Sequence, residues 1–241
     1  MTELVTYSIN NGIATITMDD GKSNVASPDF LDQLNAALDA AEKANAIVIL
    51  TGRAEVFCAG FDLRVLRTGV NNAFKMLMGG FWLVHRMMSY PRPVIIACNG
   101  HAIALGVFIL LTGDYRVGAE GDYKLVANEV QNGLTMPHCA LALCQHRVNP
   151  SHLSRAMLLS EVFTPQAAIE AGFLDLTVSH DQVMPTAQKL AEKYAQLDDT
   201  AHQESKLRMR RSFLRQLKRA IKADRRGFVL QGVKRMFASK K

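Results

Sequence analysis

Nowhere in the 241 residues is there a run of about 18 uncharged apolar side chains, the length a helix needs to cross a bilayer. The longest apolar stretch, AIALGVFILLTG, is too short and is broken by glycine. A helical membrane span is therefore excluded. The opening MTELVTYSINNGIATITMDD has acidic and polar residues where a secretory leader needs an apolar segment, so a cytoplasmic protein is expected. The four cysteines, Cys58, Cys98, Cys139 and Cys144, form no CxxC pair and have no histidine at a zinc-like spacing. They read as small buried residues in a reducing compartment, with no metal expected. Internal repeats and low-complexity linkers are also missing. So is the aromatic stacking pattern of single-strand nucleic-acid readers, which argues against a nucleic-acid partner.

What is present is an ordinary globular composition, 49% hydrophobic and 21% charged, long enough for one large domain or a domain with a helical appendage. The net charge of +6 conceals an asymmetry. Residues 201–241 hold 14 Lys and Arg against 2 Asp and Glu, or +12, while residues 1–200 hold 14 against 20, or −6. A basic tail of this kind suits an anionic partner or a solvated helix face.

The pattern alternates strands and helices. YSINNGIATITMDD, with Ile9, Ile13 and Ile16 around an NNG turn, predicts a β-hairpin. SPDFLDQLNAALDAAEKA predicts a helix with Ser27 as N-cap and Pro28 at the first helical position. AIVILTG and PRPVIIACNG predict buried strands, and NAFKMLMGGFWLVHRMM and AIALGVFILLTG predict helices, the second apolar all round. DYRVGAEGDYKLVAN predicts a further strand pair, and from SHLSRAMLLS onward the chain reads as mostly helical. Near-continuous apolar strands between helices indicate an α/β core with parallel strands. A boundary is expected near 195/196, giving a core over 1–195 and a basic helical region over 196–241.

Two short turns stand at the ends of the buried strands: VFCAGFDL and NGHAIALG. Ligands bind at the carboxyl ends of parallel strands. Ala59 and Gly60 have almost no side chain, so a ligand can approach the backbone. Unpaired N–H groups at such turns favour negative charge. Two of them facing one point would stabilise a carbonyl oxygen that becomes an enolate. Small-residue loops of this sort also serve plain tight packing.

VFCAGFDL, then PVIIACNGHAIALG and GDYR, together with MLLSEVFTPQAAIEAGFLDLTV, resemble the crotonase (enoyl-CoA hydratase/isomerase) superfamily over nearly the whole chain. The resemblance implies a spiral ββα core, a C-terminal helical domain, and a homotrimer or hexamer. It implies an acyl-CoA substrate, with coenzyme A entering as part of the thioester and no permanently bound cofactor. Matched residue by residue, the thioester carbonyl would sit between the backbone N–H groups of Ala59 and Leu105. Cys58, Gly60 and Asp62 would contact coenzyme A, as would Phe228 and Lys234 of the last helix. Trp82 and Phe108 would line the acyl pocket, where Phe81, Met76, Met78, Met87 and Met88 are equally well read as core. Asp62 is also placed to cap a helix starting at Leu63. Asp114 and Arg116 read as a buried structural pair, and His101 and His138 as structural.

Hydratases of the superfamily carry two glutamates. Here the first place is Phe108 and the second is Glu129, in ANEVQNGL. Hydration needs one group to activate water and another to manage the proton, whereas moving a double bond needs a single base. Glu129 among Leu125, Val126, Ala127 and Val130 would be desolvated, which makes a carboxylate a better base. The sequence most resembles the single-glutamate 3,2-enoyl-CoA isomerases. The alternatives are a hydratase or another crotonase reaction, an inactive relative, or an RNA-binding member.

Overall fold

A computed structural model describes residues 2–238, with side chains described through residue 228. The chain opens with strands β1 (Val5–Asn10) and β2 (Ile13–Met18), an antiparallel hairpin. Asn11 and Gly12 both take positive φ (48° and 74°), the tight turn whose twist suits a hairpin. A short strand β3 (Val25–Ala26) leads into α1 (Pro28–Lys43), where Ser27 Oγ accepts from the Phe30 N–H at 3.2 Å. Then come β4 (Ile47–Thr51), β5 (Glu55–Cys58), β6 (Gly60–Phe61), α2 (Leu63–Arg67) and α3 (Val70–Met88). The same order of elements recurs in β7 (Val94–Cys98), β8 (Gly100–Ile103) and α4 (Leu105–Leu110), and then β9 (Tyr115–Ala119) and β10 (Leu125–Val126). The remainder is α5 (His138–Arg147), α6 (Pro150–Leu158), α7 (Pro165–Ala171), β11 (Leu176–Val178), α8 (Val183–Tyr194) and α9 (Asp199–Ala238).

The main sheet has the order β1-β2-β4-β7-β9-β11, parallel throughout except for the hairpin. Its central strands are buried on both faces, which is why IVIL and VIIAC carry no polar alternation. Ile47, Ile49 and Ile95 pack under Val183, Ala187 and Ala191 of α8, while Val48, Leu50 and Ile96 join the larger core beneath α1, α3, α4, α5 and α9. A second parallel sheet, β10-β8-β5, holds the two glycine turns side by side.

Two expectations change. DYRVGAEGDYKLVAN is not a strand pair: β9 belongs to the main sheet and β10 to the second one. The chain after residue 151 also contributes β11, the sixth strand of the main sheet. Three residues bounded by helices are too short to show a period of two.

The basic tail is one long helix, α9, and it is tied to the core. Phe213, Leu217 and Ile221 are buried in the larger cluster. Asp114 accepts from Lys206 Nζ at 2.6 Å, from Arg210 Nη2 at 2.7 Å and from the Val94 N–H at 2.8 Å. Arg210 also donates to the Met88 carbonyl, and Lys206 to that of Arg92. Arg92 pairs with Asp199 at the start of the helix. Asp224 accepts from the N–H groups of His138 and Cys139 at 2.8 and 2.9 Å, capping α5, whose own N-cap residue Pro137 offers no side-chain acceptor. Asp114 and Arg116 are therefore not partners. Arg116 instead binds Asp175 through Nε and Nη2 at 2.9 and 2.7 Å.

Candidate active site

The two turns meet. Gly60 has φ +94°, and a Cβ placed on it would lie 2.9 Å from the Ala104 methyl, 3.1 Å from the Ile103 carbonyl and 3.6 Å from the Leu105 nitrogen. Only glycine allows this approach. A Cβ on Gly106 would likewise collide with the carbonyl of Cys58. Leu105 is the first residue of α4, so its N–H has no acceptor within the helix. It follows Ala104, which is held at φ 50°, ψ −120°, an unusual conformation for a residue with a Cβ. The Leu105 side chain is fully buried and turns toward α3, where Gly80 leaves room: a Cβ there would come within 3.1 Å of Leu105 Cδ2 and 2.6 Å of the Phe61 ring.

The first turn differs from the expectation in one respect. The Ala59 N–H donates to the Ser23 carbonyl at 3.1 Å and is already committed. The Asp62 N–H likewise donates to the Ala26 carbonyl at 3.2 Å, across the β3–β6 pairing. Alternate residues of a parallel strand turn their N–H groups toward one neighbour, so the Phe61 N–H, between Gly60 and Asp62, faces away from β3. The residue motif gave no sign of this, because the alternation depends on a two-residue pairing with a strand 35 positions earlier.

Glu129 begins a turn, with two residues separating it from the end of β10. The N–H groups of Asn132 and Leu134 close on its carbonyl at 3.1 and 2.8 Å. The residue is 8% exposed, and its Oε2 is buried without a hydrogen-bond partner. Burial raises the carboxyl from 4.5 to about 7, against a small opposing pull from the residue's own N–H. The Cys144 thiol of α5 lies within electrostatic reach and is itself pushed up, by burial and then by Glu129. Phe108, on α4, is buried in the larger core.

The other named residues fall as follows. Cys58 is fully buried, its thiol pushed up to about 12 by burial, so any contact it makes with a ligand is through its backbone. Asp62 caps α2, accepting from the Arg64 N–H at 2.8 Å, and it pairs with the Arg64 guanidinium, which holds the carboxyl below its usual range. Trp82 is 39% exposed and packs edge-on to His85 at 5.5 Å. Two positions along a helix are about 200° of rotation, so Trp82 points away from the side on which Gly80 meets Phe61 and Leu105. Trp82 therefore lies on the face of α3 opposite the two turns. Phe81, Met76, Met78, Met87 and Met88 are core. His101 accepts from the Lys124 N–H through Nδ1, and His138 sits at the capped end of α5. Phe228 packs partly buried against the core, and the side chain of Lys234 lies outside the described residues. Among the described residues there is no helix long and apolar enough to cross a membrane and no cluster of metal-ligating side chains.

Paired strand–turn–helix units, two abutting glycine turns and one buried carboxylate without a hydrogen-bond partner are the arrangement of a crotonase-type acyl-CoA enzyme. The chain belongs to the enoyl-CoA hydratase/isomerase family, whose sequence model matches residues 8–238. It is 27% identical over 235 residues to human "Enoyl-CoA delta isomerase 1, mitochondrial", covering 94% of this chain and 76% of the human protein. Its fold matches the crystal structure of an enoyl-CoA hydratase/isomerase family protein from Pseudomonas syringae with a TM-score of 0.91 at 41% identity, covering 92% of this chain and 97% of that one. A Mycobacterium tuberculosis protein matches at a TM-score of 0.92 and 39% identity, over 97% of this chain and 100% of that one, in a structure called a probable enoyl-CoA hydratase. A second structure of the same protein, at 0.88 and 40% over 95% and 99%, is called an isomerase. The names of relatives thus support both reactions.

Proposed function

We propose that this protein is a 3,2-enoyl-CoA isomerase that moves a double bond of an acyl-CoA thioester with one base. The observation that carries this reading is the state of the buried and part-buried carboxylates. Asp62, Asp114 and Asp224 are each engaged by hydrogen bonds, whereas Glu129 keeps one oxygen unpartnered. At the place where a second glutamate would support hydration stands Phe108, which can neither hold a water nor carry a proton.

In this reading the ionised Glu129 takes a proton from the α carbon of a 3-enoyl thioester. The electron pair of that C–H bond forms a double bond between the α carbon and the carbonyl carbon, and the carbonyl π pair moves onto oxygen, giving the dienolate. The N–H groups of Leu105 and Phe61, the latter replacing Ala59, hold that oxygen. One such donor is worth roughly 10²- to 10³-fold in rate. Glu129 then returns the proton to the γ carbon: the β–γ pair takes it, the pair between the carbonyl and α carbons becomes the α–β double bond, and the carbonyl re-forms, leaving the conjugated 2-enoyl thioester. Coenzyme A takes part only as the substrate's carrier, bound by the 58–62 backbone and the last helix, and the enzyme works as a homotrimer or hexamer.

The test offers the purified protein a 3-enoyl-CoA, with the conjugated product followed by ultraviolet absorption. A 2-enoyl-CoA is offered in parallel and watched for hydration. Conjugation without comparable hydration, abolished by Glu129→Gln, is the expected result. Hydration at a comparable rate, or no conjugation with either short or long chains, would overturn the reading.

A further inference from the structure

Ser160 stands one residue beyond Leu159, the C-cap of α6, and sits in the left-handed region at φ +51°. The helix end closes with the Glu161 N–H on the Arg155 carbonyl at 3.1 Å, and glycine is the usual occupant of the left-handed place in such a turn. Serine carries a steric penalty there that glycine avoids. Ser160 is only 9% exposed, and its Oγ accepts the Gln131 N–H at 3.2 Å.

Gln131 belongs to the turn that starts at Glu129. Within that turn Asn132 and Leu134 close on Glu129, and Gly133 on Val130. The Gln131 N–H instead leaves the turn for Ser160. Little else restrains the turn's outer side, since Val130 is 40% and Leu134 55% exposed. The segment that bears Ser160 is itself fixed, because Leu125 and Phe163 exchange both backbone hydrogen bonds at 3.0 Å.

We propose that Ser160 is a positioning residue for Glu129: through the Gln131 N–H it holds the 129–134 turn against the body of the protein, so that the Glu129 carboxylate stays buried and aimed. This rests on the reading of Glu129 as the base. Ser160 touches no reacting atom. Its hydroxyl is the reason a strained serine occupies a place where glycine would sit at ease. The titratable side chain facing Glu129 from the neighbouring helix is Cys144, which is fully buried.

The experiment compares Ser160→Gly, which relieves the backbone and deletes the hydroxyl, with Ser160→Ala, which only deletes it. Ser160→Asn supplies a different acceptor and tolerates the left-handed region. One readout is kcat and KM on 3-enoyl-CoA. The other is the ¹³C titration of the Glu129 carboxyl, assigned by its loss in Glu129→Gln, which needs no turnover. Ser160→Gly is expected to fold at least as stably as the parent, yet to lose about tenfold in kcat with little change in KM. Its Glu129 midpoint is expected to move from about 7 toward the ordinary 4.5. Ser160→Ala is expected to follow it, and Ser160→Asn to recover part of both effects. Wild-type kcat and midpoint in the Gly and Ala variants would overturn the proposal, and an Asn variant that behaves like Gly counts against the acceptor role. If the wild type conjugates no 3-enoyl-CoA, the isomerase reading fails on its own. The carboxyl titration then still decides the role of Ser160, an unchanged midpoint overturning it.

Discussion

Asp114 lies just before β9 and meets three donors: the Lys206 ammonium, the Arg210 guanidinium and the Val94 N–H. Glu129 lies just after β10, and its Oε2 meets none. Burial acts on both in the same sense, favouring the protonated form. At Asp114 the two cations overcome it and hold the carboxyl below its usual range. At Glu129 nothing does, and the carboxyl rises to about 7. One region spends its buried charge on fastening the C-terminal helix. The other leaves a carboxylate unsatisfied at the head of a turn. A buried unpaired acceptor costs stability, and such a group in an otherwise well-bonded molecule is what the proposed role of Glu129 as a base accounts for.

The sharpest way to break this contrast is to neutralise each carboxylate by an isosteric amide. Glu129→Gln is expected to cost roughly 10²- to 10⁴-fold in kcat, the usual range for a lost general base, while the protein stays folded. Asp114→Asn is expected to do the reverse. It leaves Lys206 and Arg210 buried with no counter-charge, which costs about 3 kcal/mol or more in stability. Denaturant unfolding should read this directly. Equal losses of activity and stability in both variants would mean that the two regions do not differ in kind.

A pH series sharpens the same contrast. Glu129 binds its proton more tightly in the folded chain than in the unfolded one, where its pKa is near 4.5. Its presence therefore costs nothing below about pH 4.5 and progressively more as pH climbs to about 7. By then the cost is on the order of 2–3 kcal/mol. Glu129→Gln should thus gain stability over the wild type at pH 8 but not at pH 4. Asp114, with a lowered pKa, gives stability that is present at neutral pH and lost as pH falls below the ordinary carboxylate range. Opposite slopes for the two variants, measured by unfolding at several pH values, are the expected result. On activity, kcat/KM should rise with pH through about 7 as Glu129 ionises.

These regions were not equally legible in the sequence. AIVILTG and VIIACNG read as buried strands because parallel strands covered on both faces need continuous apolar runs. Glu129 could be singled out because ANEVQNGL matches the place of the second glutamate in the family it resembles, and the apolar residues beside it in the chain fit a desolvated carboxylate. The partners of Asp114 could not, since they lie on α9, some ninety residues later (|i−j| of 92 and 96), and nothing local distinguishes Lys206 and Arg210 from the cations around them. The engagement of the Ala59 N–H by Ser23 is of the same kind. Which N–H is free depends on the register of β6 against β3, and the facing of Trp82 depends on where Gly80 docks.

The smallest expected effect tests whether position, not residue type, divides the basic helix. Arg210 is buried at Asp114, whereas Arg211 and Arg215 point outward and are exposed. Arg211→Gln and Arg215→Gln should each change stability by no more than about 0.5 kcal/mol, as surface substitutions do. Arg210→Gln, in contrast, removes two side-chain hydrogen bonds and a buried charge pair. Unfolding midpoints of the three variants would compare neighbours on one helix with the same chemistry removed. If the outward variants lost as much as Arg210→Gln, the outer face of α9 would itself be held against something, and the helix would be fastened from both sides and not by Asp114 alone.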